Sequence, residues 1–383
     1  TTEIYTLSLH DALPIFFLLL SFPLLSFAAG GEVRVGVVLP LTGESAGYGE
    51  SVLNGITLCF DTVNEAGGGA GMRIVPIVRN DRCRAADAVQ AVADLIETEH
   101  VSVIIGSLLS SVTIPAAEAS QDLGIPIIAP AATDPAVTAV GGLVFRACST
   151  DSHIGYLAAK YAIETLEAGT AACIFCSDDD SSAGAAEAFA SEFTGMGRSV
   201  VAFEGFPCGA NDWTGQLETI AETGAEVIFI PGLYPDTASI AEQARMMGID
   251  AQFIATPGWE GLDPFEYAPE TFEGAVYVSR FDPEASNPLA REFVAAYRAR
   301  YGTTPDILAA LGYESAMILA RIIGSIRNDD PAAIREALEN FGMDSLMGWF
   351  MFDENRDPFN GGVIMEFIDG QAQYKQSIEP GYG

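Results

Sequence analysis

Basic residues are scarce in this 383-residue chain: 18 Lys and Arg stand against 52 Asp and Glu, for a formal charge of -34. Binding a phosphate backbone requires clustered cations, so a nucleic-acid partner is excluded. The acidity otherwise describes a solvated surface and is silent about a ligand. With three histidines (His10, His100 and His153) and six scattered cysteines, no zinc cluster with ligand spacing can be drawn, and neither metal nor cofactor is expected. The Asp178-Asp179-Asp180 run lacks the glycine of a calcium loop and reads as a solvated, helix-capping turn.

Long apolar runs are also missing. Residues 16–29 (FFLLLSFPLLSFAA) are too short and too interrupted by Pro23 for a comfortable membrane span, and they end on Ser26-Phe27-Ala28, a small-x-small cleavage pattern. They read as a secretory signal. Residues 1–15 lack an initiating Met and a basic n-region and resemble translated sequencing-adapter read-through. Residues 1–30 are therefore set aside as signal peptide and non-native leader, and no later stretch looks long and apolar enough to cross a bilayer.

What the chain does have is a regular alternation of continuous apolar strands and helical segments from Glu32 onward, the pattern of parallel sheets covered on both faces. Its length allows two or three domains, and two α/β domains are the economical reading. The last hundred residues supply three helices and a short strand-rich tail, too little for a further sheet, so they must complete the domains already begun. The expected boundaries are 31–148 plus 281–347 for one lobe and 149–280 plus 348–378 for the other. The chain would cross between them near 148–152, 279–283 and 348–352.

The richest stretch is residues 101–135, one βαβ unit with both strand ends chemically dressed. Ser107, Ser110 and Ser111 open its helix, and Pro130-Ala131-Ala132-Thr133 follows its second strand. Ligands of open parallel sheets sit beyond the carboxyl ends of the strands, where helix N-termini offer free N–H groups to an anion. Ser110 and Thr133 are thus placed to meet one small ligand, although capping and turn formation explain each of them as well. Cys176 and Cys208 each follow a strand of one sheet and can approach within bridging distance. Cys173-Ile174-Phe175-Cys176 lies on a strand, which turns residues three apart to opposite faces, so it is a poor redox motif. Gly43-Glu44-Ser45-Ala46-Gly47 matches the nucleophile-elbow pattern, but Ser45 lies past Pro40 and only His100 or His153 could serve it, so a serine hydrolase is disfavoured.

Together, GVVLPLTGESAGYGE at 36–50, Asn64-Glu65-Ala66-Gly67-Gly68, Asn80-Asp81, Ile105-Gly106 with Ser110-Ser111, the Pro130 to Thr133 loop, Phe145-Arg146, EFVAAYRARYG at 292–302 and the 348–357 turn resemble the extracytoplasmic solute-binding proteins of branched-chain amino-acid ABC transporters. The resemblance implies a type I periplasmic-binding-protein fold: two doubly wound parallel-sheet lobes joined by three crossovers. It implies a periplasmic monomer that closes on an amino acid or similar small carboxylate and delivers it to a membrane-embedded ABC permease, with no catalytic residue. By the same resemblance Ser110 meets the ligand carboxylate, Ala131 and Thr133 accept its ammonium, and Tyr48 packs near its side chain. The facing lobe departs from the family pattern. Ser181 or Ser182 stands where many members have Tyr, and Leu233 takes a second Tyr position beside Tyr234. The family's acidic residue falls near Pro257, so either Glu260, beyond Trp259, replaces it or the ligand is not an α-amino acid. Specificity is expected at Ser181, Tyr234, Trp259 and Glu260. A sensor domain reporting to a membrane signalling partner fits the same residues.

Overall fold

The computed structural model describes residues 31–43, 45–233, 236–260, 269–358 and 360–379. Five strands, β1 (Glu32–Leu39), β2 (Arg73–Asn80), β3 (Val103–Gly106), β4 (Ile127–Ala129) and β5 (Val144–Arg146), form an all-parallel sheet in the order β2-β1-β3-β4-β5. Helices α1 (Ala46–Glu65), α2 (Ala85–Glu97), α3 (Ser110–Asp122) and the short α4 (Ala136–Ala139) connect them. Strands β3, β4 and β5 and the run from Val35 to Leu39 of β1 are fully buried because helices cover both faces, while the edge strand β2 is mostly half-buried.

The second lobe alternates α5 (Asp151–Glu164), β6 (Thr170–Cys176), α6 (Asp180–Gly195), β7 (Ser199–Phe206), α7 (Thr214–Thr223), β8 (Val227–Ile230), α8 (Asp236–Met246), β9 (Gln252–Ala255) and β10 (Val276–Ser279). The chain then returns to the first lobe as α9 (Pro288–Tyr301), α10 (Ile307–Ile326), α11 (Pro331–Glu339) and a hairpin of β11 (Gly342–Ser345) and β12 (Gly348–Met351). It ends in the second sheet as β13 (Gly362–Ile368) and β14 (Gln371–Ile378), antiparallel at the edge, giving the order β14-β13-β10-β9-β8-β6-β7. The structure therefore has the two parallel-sheet lobes and three crossings that the alternation implied.

Two expectations need correction. The third crossing falls between Pro358 and Gly362, not at 348–352, so 348–358 belongs to the first lobe. Phe350 and Phe352 are buried in that lobe's core, with Phe352 edge-on to Phe145 at 5.1 Å. Arg356 donates to the carbonyls of Val144 and Thr138. Second, α10 has the length and apolarity of a membrane span, yet it is mostly buried as a core helix against α1. Glycines permit that packing: a Cβ on Gly55 would lie 2.0 Å from the Ala309 carbonyl oxygen, and one on Gly312 would lie 2.2 Å from that of Val52.

Candidate functional site

The carboxyl ends of the first sheet's strands face the second lobe, and the loops there carry the residues singled out above. Helix α3 begins at Ser110, and its N-cap Leu109 has no side-chain cap; intrahelical bonds start with Val112 and Thr113 donating to the Leu109 carbonyl. The first turn thus presents N–H groups and the positive end of a 13-residue helix dipole. The half-buried Ser110 hydroxyl accepts from the Asp134 amide at 3.2 Å, which joins the α3 turn to the loop after β4.

That loop is held from behind by Arg146. The guanidinium is fully buried and donates to the carbonyls of Ala132 (2.9 Å) and Asp134 (2.7 Å), to Thr138, and to the Asp357 carboxylate at 2.7 Å. A charge removed from water is tolerable only with such a complete set of partners. Its effect is to fix Ala131, half-buried against the first lobe's core, and Thr133 beside it.

Thr133 is where the two lobes meet. Its hydroxyl lies 3.1 Å from the hydroxyl of Ser181, in the first turn of α6. Ser181 donates to Asp151 Oδ1 at 2.8 Å, so the chain of donors runs from Thr133 through Ser181 to a carboxylate. The Asp151 amide in turn donates to the Thr133 carbonyl at 3.0 Å. Asp151 is 5% exposed, and its Oδ2 has no hydrogen-bond partner among the described residues. Burial pushes its carboxyl up to about 7; Ser181, Thr133 and the nearby Arg146 oppose that rise, and Asp134 adds to it. Asp151 was not singled out from the sequence, where an Asp beginning a helix after a Thr N-cap looks like routine end chemistry. Thr150 does cap α5, accepting from the His153 amide.

Other expected residues take different places. Tyr48 is half-buried in the first turns of α1, packed against the first lobe's core. Tyr234 lies outside the described residues. Ser182 is buried and bridges the Cys176 amide and the Pro231 carbonyl, which leaves Ser181 as the hydroxyl at the cleft. Trp259 needs correction: it is fully buried in the second lobe's core, edge-on to Phe272 at 5.4 Å, with its indole N–H donating to Thr237. A large apolar ring on a 3₁₀ turn (Pro257–Trp259) folds inward where it removes most area from water. Glu260 is engaged away from Thr133 and Ser181. Its Oε1 accepts from the Ile307 amide at the start of α10 (2.7 Å) and its Oε2 from Ser279 (3.1 Å), so it links the second lobe to a first-lobe helix. Burial, then the neighbouring Asp306 carboxylate, push it up to about 8.

Cys176 and Cys208 form a disulfide with Cα atoms 5.2 Å apart, while Cys59 and Cys173 are buried and free. Among the described residues the hydrolase constellation does not assemble. There, Ser45 Oγ meets only the Cys83 thiol, at 3.7 Å, while His153 Nε2 bonds the Asn360 carbonyl and His100 follows α2 with φ 56°.

A strand-end cleft between two doubly wound lobes, joined by three crossings, is the geometry of a solute receptor, and the periplasmic binding protein family model matches residues 32–372. The chain belongs to that family. A periplasmic binding protein of this kind captures a solute and is not an enzyme. Among its relatives is an amino acid binding protein of Pseudomonas aeruginosa, 29% identical over 355 residues, spanning 92% of this chain and 94% of that one. Among solved structures, the leucine binding protein LivK of Thermotoga maritima superposes with a TM-score of 0.82 at 29% identity, covering 91% of this chain and 99% of that one. The branched-chain amino acid transporter substrate binding protein LivJ of Streptococcus pneumoniae, in complex with isoleucine, gives 0.82 at 25% identity, covering 91% and 100%.

Proposed function

We propose that this protein is the periplasmic solute-binding component of an ABC importer and that it captures a branched-chain or related α-amino acid between its lobes. Residues 16–29 direct its export, it works as a monomer, and a membrane-embedded permease receives the solute. The relatives support the ligand class, since they include proteins named for leucine, isoleucine and valine.

The observation that carries the reading is the orphaned Asp151 Oδ2 beside the Thr133 and Ser181 hydroxyls. An unpartnered buried carboxylate oxygen costs about 1 to 3 kcal/mol or more, and a ligand ammonium would remove that cost. The uncapped first turn of α3, with Ser110, offers the complementary site for the ligand carboxylate. Asp151 therefore takes the part that the family pattern would give to an acidic residue near Pro257, and Glu260 is left to its structural bonds. Closure of the lobes removes the solute from water and completes its hydrogen bonds.

Calorimetric titration with L-leucine, L-isoleucine and L-valine, each against its amine-free carboxylic acid, tests this. The amino acids bind at least about tenfold more tightly, as expected for a charge-assisted bond. Equal affinity for the amine-free acids would remove Asp151 from the site, and no binding of any of them would overturn the ligand class.

A further inference from the structure

The turn that presents Ser181 is held on one side through Ser182, which donates to the Pro231 carbonyl beyond β8, and on the other by the end of β7. Strand β7 is the edge of the seven-stranded sheet and pairs only with β6, with Cys176 in register with Phe206. Just beyond that last pair, four links join residues 176–178 to the chain leaving β7. They are the Cys176–Cys208 disulfide, the Cys208 amide donating to Asp178 Oδ1 at 2.7 Å, and the Ser177 amide and hydroxyl donating to the Phe206 carbonyl at 2.8 and 3.1 Å. Asp179 then caps α6 by accepting from the Ser181 amide, and Ser181 reaches Asp151 and Thr133. An edge strand lacks a second neighbour and frays first at its ends. Here the fraying end is the one that supports a cleft residue.

We infer that the Cys176–Cys208 disulfide is a positioning element of the binding site: by clamping the end of β7 to β6 it holds the 177–180 turn and aims the Ser181 hydroxyl across the cleft at Thr133 and Asp151. Cys208 itself is exposed, and its partners among the described residues are Cys176 and Asp178, so the disulfide acts through Ser181. Its role in affinity rests on the reading of the cleft as the solute site. Its role in ordering the turn does not.

The experiment compares wild type with Cys176→Ser/Cys208→Ser, and wild type before and after reduction with a water-soluble phosphine in case the variant fails to fold. Hydrogen exchange of the ligand-free protein is read in peptides covering 176–184 and, as an internal reference, 227–233. The disulfide-free protein exchanges at least about tenfold faster in the first segment while the second is unchanged. L-leucine is the titration probe: its affinity falls about five- to tenfold without the disulfide, and the fall vanishes in a Ser181→Ala background, because the two changes remove one contact. A lower melting temperature with unchanged exchange at 176–184 would overturn the inference, as would an affinity loss that adds fully to that of Ser181→Ala. Failure of wild-type protein to bind L-leucine would count against the solute class alone, since the exchange comparison still decides the positioning role.

Discussion

Replacing Asp151 by Asn should make the protein more stable at pH 8, less stable at pH 4, and a poorer amino-acid binder at both. The carboxyl stands at about 7 in the folded chain against 3.8 unperturbed, because burial outweighs the hydroxyls and Arg146. At ~1.4 kcal/mol per tenfold change in proton affinity, that displacement corresponds to roughly 4 kcal/mol. The folded state holds the proton more tightly, so this stability is fully present below pH 3.8 and is lost as pH rises through about 7. The Asp151→Asn side chain escapes that loss and keeps an acceptor for Ser181, but its amide nitrogen inherits the place of the orphaned Oδ2. An unpaired buried donor costs about 1 to 3 kcal/mol at every pH. The balance is a net gain of about 1 to 3 kcal/mol at pH 8 and a net loss of similar size at pH 4. Thermal denaturation of the ligand-free variant and wild type at both pH values reads the sign change directly, and the titration of Glu260, common to both, cancels. Calorimetry with L-leucine should show affinity reduced about ten- to a hundredfold, the cost of losing a charge-assisted bond. A stability difference independent of pH, or wild-type affinity for L-leucine, would refute the reasoning.

Ser110→Ala and Thr133→Ala should each weaken L-leucine binding by about 1 to 3 kcal/mol in the same assay; wild-type affinity in both would remove the strand-end loops from the site. Glu260→Gln should leave the preference for amino acids over amine-free acids unchanged and should raise the melting temperature more at pH 9 than at pH 5, because the folded carboxyl sits near 8 and its stabilisation is lost as pH climbs through that value. A selective loss of amino-acid binding would instead make it the ammonium partner. Arg146→Met should cost about 3 to 5 kcal/mol by leaving the Asp357 carboxylate without its buried cation and taking one bond each from the Ala132 and Asp134 carbonyls, measured by denaturant unfolding.

The alternation of lobes was legible because each strand is a short β-branched run ending in a small-residue turn, and that pattern is local. Ser110 and Thr133 were legible for the same reason, as polar residues at strand ends. The third crossing was misplaced because the apolarity of Phe350 and Phe352 says that they are buried and not against which of two cores. Trp259 and Glu260, adjacent in sequence near the expected acidic position, looked like a binding pair. Only the packing of the 3₁₀ turn separates a core indole from a carboxylate that reaches α10. Asp151 escaped notice because its distinguishing property, a second oxygen without a partner, exists only after Ser181 and Thr133 arrive from two different lobes.

The Glu260 bond to the start of α10 carries a consequence for release. It spans the lobes, as does the Thr133 to Ser181 contact, so part of what holds the lobes together is supplied by the chain's own residues. Glu260→Ala removes one of those bonds and should speed the release of bound L-leucine in a stopped-flow chase while leaving the preference for amino acids over amine-free acids unchanged. Residence time is then set in part by a residue that need not touch what the lobes enclose.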